Sequence, residues 1–191
     1  PKIVDGAKKY ALRMDALDNK TIFKVGAQGA EAVTNQVTGG RLAGLEQGYV
    51  AAFETAGKID DLAHLVARDL NAVHRKGITL DGELGGDLFV ARRPIVDFGV
   101  TNVGQAYAEV DVEDMTLIEP QKVTFTYNAS KGNWVGRNDF GETVASGGSS
   151  VSLPGMTIRF VGEAFDNDEI IIDPSRSAAE SLIFALKRGE E

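Results

Sequence analysis

The two histidines are the first residues to consider for catalysis or metal binding. His64 and His74 lie ten residues apart, in a stretch with helical periodicity. A zinc site built on one helix needs its histidines four residues apart, so that both imidazoles lie on the same face. The chain also has no cysteine and no G-x-S-x-G sequence, which argues against zinc hydrolases and Ser-His triads. We therefore expect both histidines to be polar-face or partly packed side chains.

Two acidic segments contain carboxylates that could bind calcium or act as a catalytic acid/base pair. Asp81 to Asp87 places three carboxylates in a glycine-rich loop, but it lacks the alternating acidic positions and the terminal Glu of an EF-hand. Asp166 to Glu169 could supply a glycosidase acid/base pair, but flanking apolar strands favour a hairpin turn. We expect a structural turn at each segment.

A third candidate is the glycine-containing stretch from Gly26 to Ala30, which follows an expected strand as a phosphate-binding turn would. It has neither the G-x-G-x-x-G spacing nor the Lys-Ser/Thr pair of a P-loop, so a β-turn is favoured. No catalytic, cofactor-binding or metal-binding residue is predicted. The chain is expected not to be an enzyme.

Composition narrows the possible classes of protein. The 191 residues are 43% hydrophobic, which suffices for one large or two small domains. With 28 acidic and 20 scattered basic residues, the net charge of -8 disfavours a nucleic-acid surface. The absence of cysteine excludes disulfides and thiolate metal sites. No apolar run approaches the ~20 residues of a membrane span, and Pro1 to Gly6 do not begin a signal peptide. Because the chain starts without Met, we expect an internal fragment of a longer protein.

One long helix must carry both histidines. After Gly39 and Gly40 the hydrophobic period becomes helical, and the spacing predicts a continuous helix from Arg41 to Lys76, ending at Gly77. Small and apolar residues recur along it at unbroken 3,4 spacing: Leu42, Leu45, Tyr49, Ala52, Ala56, Ile59, Ala63, Val66, Leu70 and Val73. We expect this row to be the packing face of the helix. Its partner would come from outside these 191 residues, from another subunit, or from the short strands folded back on it.

The segments around the helix read as β-structure, which makes the fold class α+β: a long helical rod-like segment plus a small antiparallel β domain. Residues 1–38 predict two or three short strands. Period-2 alternation predicts further strands at 123–127, from Trp134, at 156–160 and at 169–172, with a flexible connection at 147–150. Ser177 to Glu180 fit a capping box that opens a helix through Leu182, Ile183 and Leu186. The expected domains are 1–92 (the long helix with the N-terminal strands), 93–176 (the β domain) and 177–191 (the start of a returning helix).

The order of these motifs resembles the flagellar hook-associated protein 1 family. The resemblance begins with TGGRLAGL at Thr38–Leu45 and continues through a helix ending in N-x-x-H-x-x-G and an acidic glycine-rich loop. The positions that carry it there are Asn71, His74, Gly77, Asp81, Gly85 and Phe89. Later positions are Gly155, Gly162 and Asp168, with Ile170 in place of an aromatic residue. The terminal helical regions of that family are absent.

The resemblance implies a non-enzymatic structural subunit that joins hook to filament by ring assembly. It would be extracellular, in the bacterial flagellum, exported by the type III apparatus without a cleaved signal peptide. Its partners would be copies of itself, the hook protein, the next hook-associated protein and an export chaperone that binds the missing C-terminus, with no nucleic acid, membrane or cofactor. The alternative is a secreted or surface β-rich binding module, such as an adhesin, on a helical stalk. A glycosidase-like enzyme is a more distant possibility.

Overall fold

The computed structural model describes residues 4–5, 8–9, 12–17, 20–25, 31–32, 38–90 and 93–186. The chain divides into two compact units, Pro1–Ala56 and Gly57–Glu191. In the first unit the described backbone forms a short antiparallel pair, β1 and β2, and a three-stranded antiparallel sheet in the order β3-β4-β5. The bounds are Val4–Asp5 for β1, Lys8–Lys9 for β2, Leu12–Leu17 for β3, Lys20–Val25 for β4 and Glu31–Ala32 for β5. We expected two or three strands, and the two-residue ones are too short to show an alternating pattern.

The long helix α1 spans Gly40–His74, 35 residues, close to the predicted range. It runs without a break through Gly57, as its periodicity indicated. The helix ends just before Gly77, whose N–H donates to the carbonyl oxygen of His74 at 2.9 Å. No helix among the described residues is both long and apolar enough to cross a membrane.

The second unit contains an antiparallel β domain of two sheets. The five-stranded sheet has the order β10-β9-β8-β13-β6, and the three-stranded sheet has the order β11-β12-β7. The bounds are Ile95–Phe98 for β6, Tyr107–Val112 for β7, Val123–Asn128 for β8, Asn133–Asn138 for β9, Thr143–Gly147 for β10, Ser150–Leu153 for β11, Met156–Val161 for β12 and Glu169–Asp173 for β13. The strands predicted from period-2 alternation are β8, β9, β12 and β13, and all four are present. The α+β fold class is thereby confirmed.

The inward-facing positions of the two sheets form the core of the β domain. Phe125, Ile158 and Ile170 are inaccessible to solvent, as expected for alternate residues of half-buried strands. Trp134 stacks on Phe160 with ring centroids 4.7 Å apart and planes 18° apart. Gly136 lies opposite Phe125 on the neighbouring strand, and a β-carbon there would overlap the Phe125 ring. The glycine therefore leaves the space that the aromatic ring fills.

Two local expectations differ from the structure. The connection at 147–150 is a tight link between β10 and β11, and a β-carbon at Gly147 would overlap the Ser150 carbonyl oxygen. The capping box at Ser177 does not form, because Ser177 has φ 61° and makes no side-chain capping bond.

The helix predicted through Leu186 is also much shorter. Helix α2 spans Ala178–Ser181, and Leu182 is already extended. The following backbone instead pairs with residues 88–90: Val90 N–H donates to the Ile183 carbonyl at 3.0 Å, and Ala185 N–H donates to the Leu88 carbonyl at 2.7 Å. Backbone pairing with a neighbouring segment thus replaces the continued helix. Residues 187–191 lie outside the described part of the chain.

Candidate functional site

In the second unit, α1 has two chemically different faces. An α-helix turns by about 100° per residue, so positions 64, 67 and 71 share one side of it. His64, Ala67 and Asn71 on that side are buried. Positions 59, 62, 66, 70 and 73 share a different side, and their side chains are 41% to 67% exposed. We call this row, Ile59, Leu62, Val66, Leu70 and Val73, the exposed stripe.

The exposed stripe overlaps the predicted packing face of the helix, for which a partner outside these 191 residues was one expectation. Four of its members belong to the 3,4 row that the sequence assigned to packing, yet this part of the row faces away from the β domain. The described residues therefore do not cover it. The helix contacts the β domain through its polar side instead.

The buried Asn71 side chain holds the loop that follows the helix. Its amide nitrogen donates to the Phe89 carbonyl oxygen at 2.9 Å, and its amide oxygen accepts from the Phe89 N–H at 2.9 Å. The same amide nitrogen lies 3.7 Å from the sulfur of Met115. One side chain thus satisfies both backbone polar groups of Phe89, as a neighbouring β-strand would.

Arg75, just after the helix, joins the loop to the β domain. Its Nε and Nη2 donate to the two carboxylate oxygens of Asp87 at 2.5 and 2.9 Å, and its Nη1 donates to Asp114 at 2.9 Å. The bond to Asp87 is the largest effect that raises the pKa of Arg75 above its ordinary value. The Thr116 hydroxyl and N–H, followed by Arg75, lower the pKa of Asp114. This planar fork uses three donors at once, a geometry that lysine cannot reproduce.

Both histidines also donate hydrogen bonds to segments outside the helix. His64 Nε2 donates to the Ile118 carbonyl oxygen at 3.0 Å, and His74 Nδ1 donates to the Gly86 carbonyl oxygen at 2.7 Å. Gly85 packs so closely on the helix end that a β-carbon there would overlap the His74 carbonyl oxygen. The histidines are therefore used for packing and hydrogen bonding, as their spacing suggested.

The start of α2 is capped by α1 and not by Ser177. The carboxylate of Asp60 accepts from the N–H groups of Ser177 and Ala179 at 2.8 and 3.0 Å. The neighbouring Asp61 accepts from the Ser175 hydroxyl at 2.6 Å. Asp60 of α1 thus caps the N-terminus of α2. We call the contacts of Asp60, His64, Asn71 and Arg75 the polar latch.

Two carboxylates of the Asp166–Glu169 segment accept hydrogen bonds from backbone N–H groups. Asp168 is buried and accepts backbone N–H groups from Val103 at 2.8 Å, Gly104 at 3.0 Å and Phe165 at 2.7 Å. Burial opposes ionisation of Asp168, but the three N–H donors outweigh it and lower its pKa below the ordinary value. Asp166 accepts from the Ala129 N–H at 2.9 Å. Both carboxylates stabilise turns, as predicted.

The acidic loop after the helix likewise has a structural role. Asp87 is paired with Arg75, while Asp81 and Glu83 are exposed. Across the described ranges, no three His, Asp or Glu side chains lie close enough together to hold a metal ion. The stretch from Gly26 to Ala30, for which a β-turn was predicted, lies outside the described residues. A groove of about 410 Å³ next to the β8–β9 turn is lined by polar and apolar residues that include Val135, Arg137 and Asp166.

Sequence reasoning missed the polar latch. Asp60, Asn71 and Arg75 were not predicted to hold other segments of the chain, because hydrogen bonds and ion pairs leave no hydrophobic period in the sequence. The one signal that could have found them is their spacing. Positions 60, 64, 71 and 75 recur on the same helical face as the buried Ala67.

Comparison with known proteins agrees with this architecture. Residues 1–89 match the family model described as the flagellar hook-associated protein FlgK helical domain. The structure of the flagellar hook junction protein FlgK from Burkholderia pseudomallei matches with a TM-score of 0.69 and 21% identity, covering 98% of this chain and 37% of that one. No curated protein matches the sequence.

Two structures of FlgL from Xanthomonas campestris match less well, with TM-scores of 0.37. Their identities are 17% and 16%, and each match covers 47% of this chain and 33% of the FlgL chain. The chain spans little more than a third of the Burkholderia FlgK structure, so the matched fold is one part of a larger subunit there. Over residues 1–89, just under half of its length, the chain is therefore similar to the helical domain of the flagellar hook-associated protein FlgK family.

Proposed function

We propose that this chain is part of a structural subunit that joins the hook of the bacterial flagellum to the filament, acting by ring assembly and not by catalysis. The observation that carries the proposal is the exposed stripe. Five large apolar side chains on one side of a helix are unfavourable in water, and such rows mark surfaces that another helix covers.

The proposed cover for the stripe is helical sequence of the same subunit that lies outside these 191 residues. The match to only 37% of the Burkholderia FlgK chain supports this, because a subunit of that size has further sequence available. The stripe has the 3,4 spacing with which helices pack side by side. Part of the rod-like domain would then form around α1.

Assembly between subunits is the second part of the proposal. A ring of identical subunits requires two different surfaces on each copy that fit one another. The proposed neighbours are copies of the same subunit, the hook protein and the next hook-associated protein. The proposed location is the flagellum outside the cell, reached by type III export without a cleaved signal peptide and with an export chaperone that binds the subunit's C-terminus.

Deletion of the gene tests the proposed function. We expect cells that make hooks but release flagellin into the medium. Normal attached filaments in the deletion strain would contradict the proposal.

A complementation experiment tests the role of the stripe. Val66→Asp with Leu70→Asp in the full-length protein should fail to restore filaments, because charge on the stripe prevents helix packing. The control is Thr143→Asp with Ser152→Asp, which adds the same charge to exposed positions of the β domain. Restoration by the stripe variant to the level of the control would show that the stripe is not an assembly surface.

A further inference from the structure

The β domain carries a second exposed apolar surface, at the end of its strands away from α1. Strand β13 runs from Glu169 to Asp173, and its Asp173 end leads to Ser175, which contacts Asp61 of α1. At its Glu169 end lie two loops, 99–106 and 162–168. Apolar side chains on or beside these loops are exposed: Val100, Val103, Tyr107, Val161 and Phe165. We call these five residues the apolar tip.

Backbone hydrogen bonds place the members of the tip together. Tyr107 and Val161 are directly paired across β7 and β12, so their side chains lie on the same face of that sheet. The two loops are joined where the Gln105 N–H donates to the Glu163 carbonyl oxygen at 3.0 Å. The tip is therefore one surface built from two loops.

The loops of the tip are held in place by buried polar groups. The Asp168 carboxylate accepts N–H groups from both loops, at Val103 and Gly104 on one and Phe165 on the other. The Asn102 side chain donates to the Glu169 carbonyl oxygen and accepts from the Glu169 N–H, both at 2.7 Å. Loops fixed in this way lose little conformational entropy on binding, which favours a preformed interface.

The charges around the tip indicate the chemistry of its partner. Residues 98–108 contain no charged side chain, and residues 161–169 contain four acidic and no basic ones. Asp168 is buried by its loop contacts, whereas Asp166 is exposed. Arg159, two residues before Val161 on β12, is paired with Asp111. The exposed Glu163 and Asp166 and the half-buried Glu169 form an acidic rim next to the apolar side chains. A second acidic tip would be repelled by this rim, whereas a basic surface would be attracted.

We infer that the apolar tip is a docking surface for a different protein, one whose contact surface has an apolar centre and a Lys/Arg rim. The tip is separate from the exposed stripe, because it lies at the opposite end of the strands from α1. A subunit could thus be covered along its helix and bind a second protein through its β domain.

Site-specific photo-crosslinking in the native host tests the inference. The photoreactive residue p-benzoylphenylalanine replaces Val103 in the full-length protein, with Val100 as a second position and Ser152 on β11 as the exposed control. We expect crosslinks from the tip positions to one other protein, with the crosslinked site mapped by mass spectrometry to an apolar patch flanked by Lys or Arg. Glu163→Lys should lower the yield about fivefold, as expected for reversal of one rim charge.

Three results would overturn the inference: a yield at both tip positions no higher than at Ser152, crosslinks only within the same polypeptide, or crosslinks only to a second copy of the protein. The outcome is separable from that of the proposed function. A crosslinked partner outside the flagellum would support the tip and contradict the hook-filament role. Loss of filaments on gene deletion, without crosslinks from the tip, would support the hook-filament role and contradict the inference about the tip.

Discussion

For two neighbouring residues of α1, substitution of the polar side chain by alanine should reduce stability more than substitution of the apolar one. Asn71 is polar and fully buried, whereas Leu70 is apolar and 43% exposed. We predict that Asn71→Ala strongly destabilises the 191-residue chain and that Leu70→Ala barely does so. The contrast follows directly from the polar latch and the exposed stripe.

The magnitudes can be worked out from the contacts. Asn71→Ala removes two hydrogen bonds and leaves the N–H and C=O of Phe89 without their partner. An unsatisfied buried polar group costs about 1–3 kcal/mol, so the free energy of unfolding should fall by about 2–4 kcal/mol. A fully buried Leu→Ala change costs about 2–5 kcal/mol. With its side chain largely in water, Leu70→Ala should cost less than about 1 kcal/mol, partly offset by the higher helix propensity of alanine.

Urea denaturation provides the measurement. The single tryptophan, Trp134, is buried in the β-domain core, so its fluorescence reports unfolding of the β domain, and circular dichroism at 222 nm follows the helix. Comparing the two signals also checks that the transition is two-state. Equal effects of the two substitutions, or a larger effect of Leu70→Ala, would refute the assignment of the two faces.

Two further predictions concern the turns. The pKa of Asp168 is lowered in the folded state, so its contribution to stability is present above the unfolded-state pKa and is lost as the pH falls through the folded-state pKa. The difference in stability between the wild-type chain and Asp168→Asn should therefore shrink as the pH falls below about 4, measured by urea midpoints, and a difference that stays constant in acid would contradict this. Gly85→Ala should lower the melting temperature because its β-carbon would overlap the His74 carbonyl, at a cost of about 1–3 kcal/mol. Gly86→Ala has free space around it and should have little effect, so equal melting temperatures for the two variants would show that the loop is not packed on the helix end.

The elements were predictable where one physical signal dominates. The helical period from Arg41 onward identified α1 to within two residues at each end, and alternation at Val123, Phe125 and Tyr127 identified β8. Strands such as β6 and β10 were not predicted individually, because they have four and five residues and no strong alternation. Their place in the sheet depends on pairing with β13 and β9, which the local sequence does not encode.

The orientation of the helix was not predictable from hydrophobicity. The apolar row does not indicate which side of the helix contacts the rest of the second unit, and that side carries the hydrogen bonds of Asp60, His64, Asn71 and Arg75. Most of their acceptors and donors are backbone groups of distant residues, such as Ile118 and Phe89. Only the three-dimensional structure brings those groups together. The same reason explains why Ser177 suggested a capping box that Asp60 replaces.

The polar latch also has a consequence for orientation in an assembly. Because Asp60, His64, Asn71 and the exposed stripe are all on α1, the angle around the helix axis between the stripe and these three contacts is set by residue spacing. A single residue inserted between two latch positions would turn one of them by about 100° relative to the other, whereas a seven-residue insertion would turn it by only about 20°. A helix that packs on the stripe would therefore have a fixed angular position, around the axis of α1, relative to the β domain.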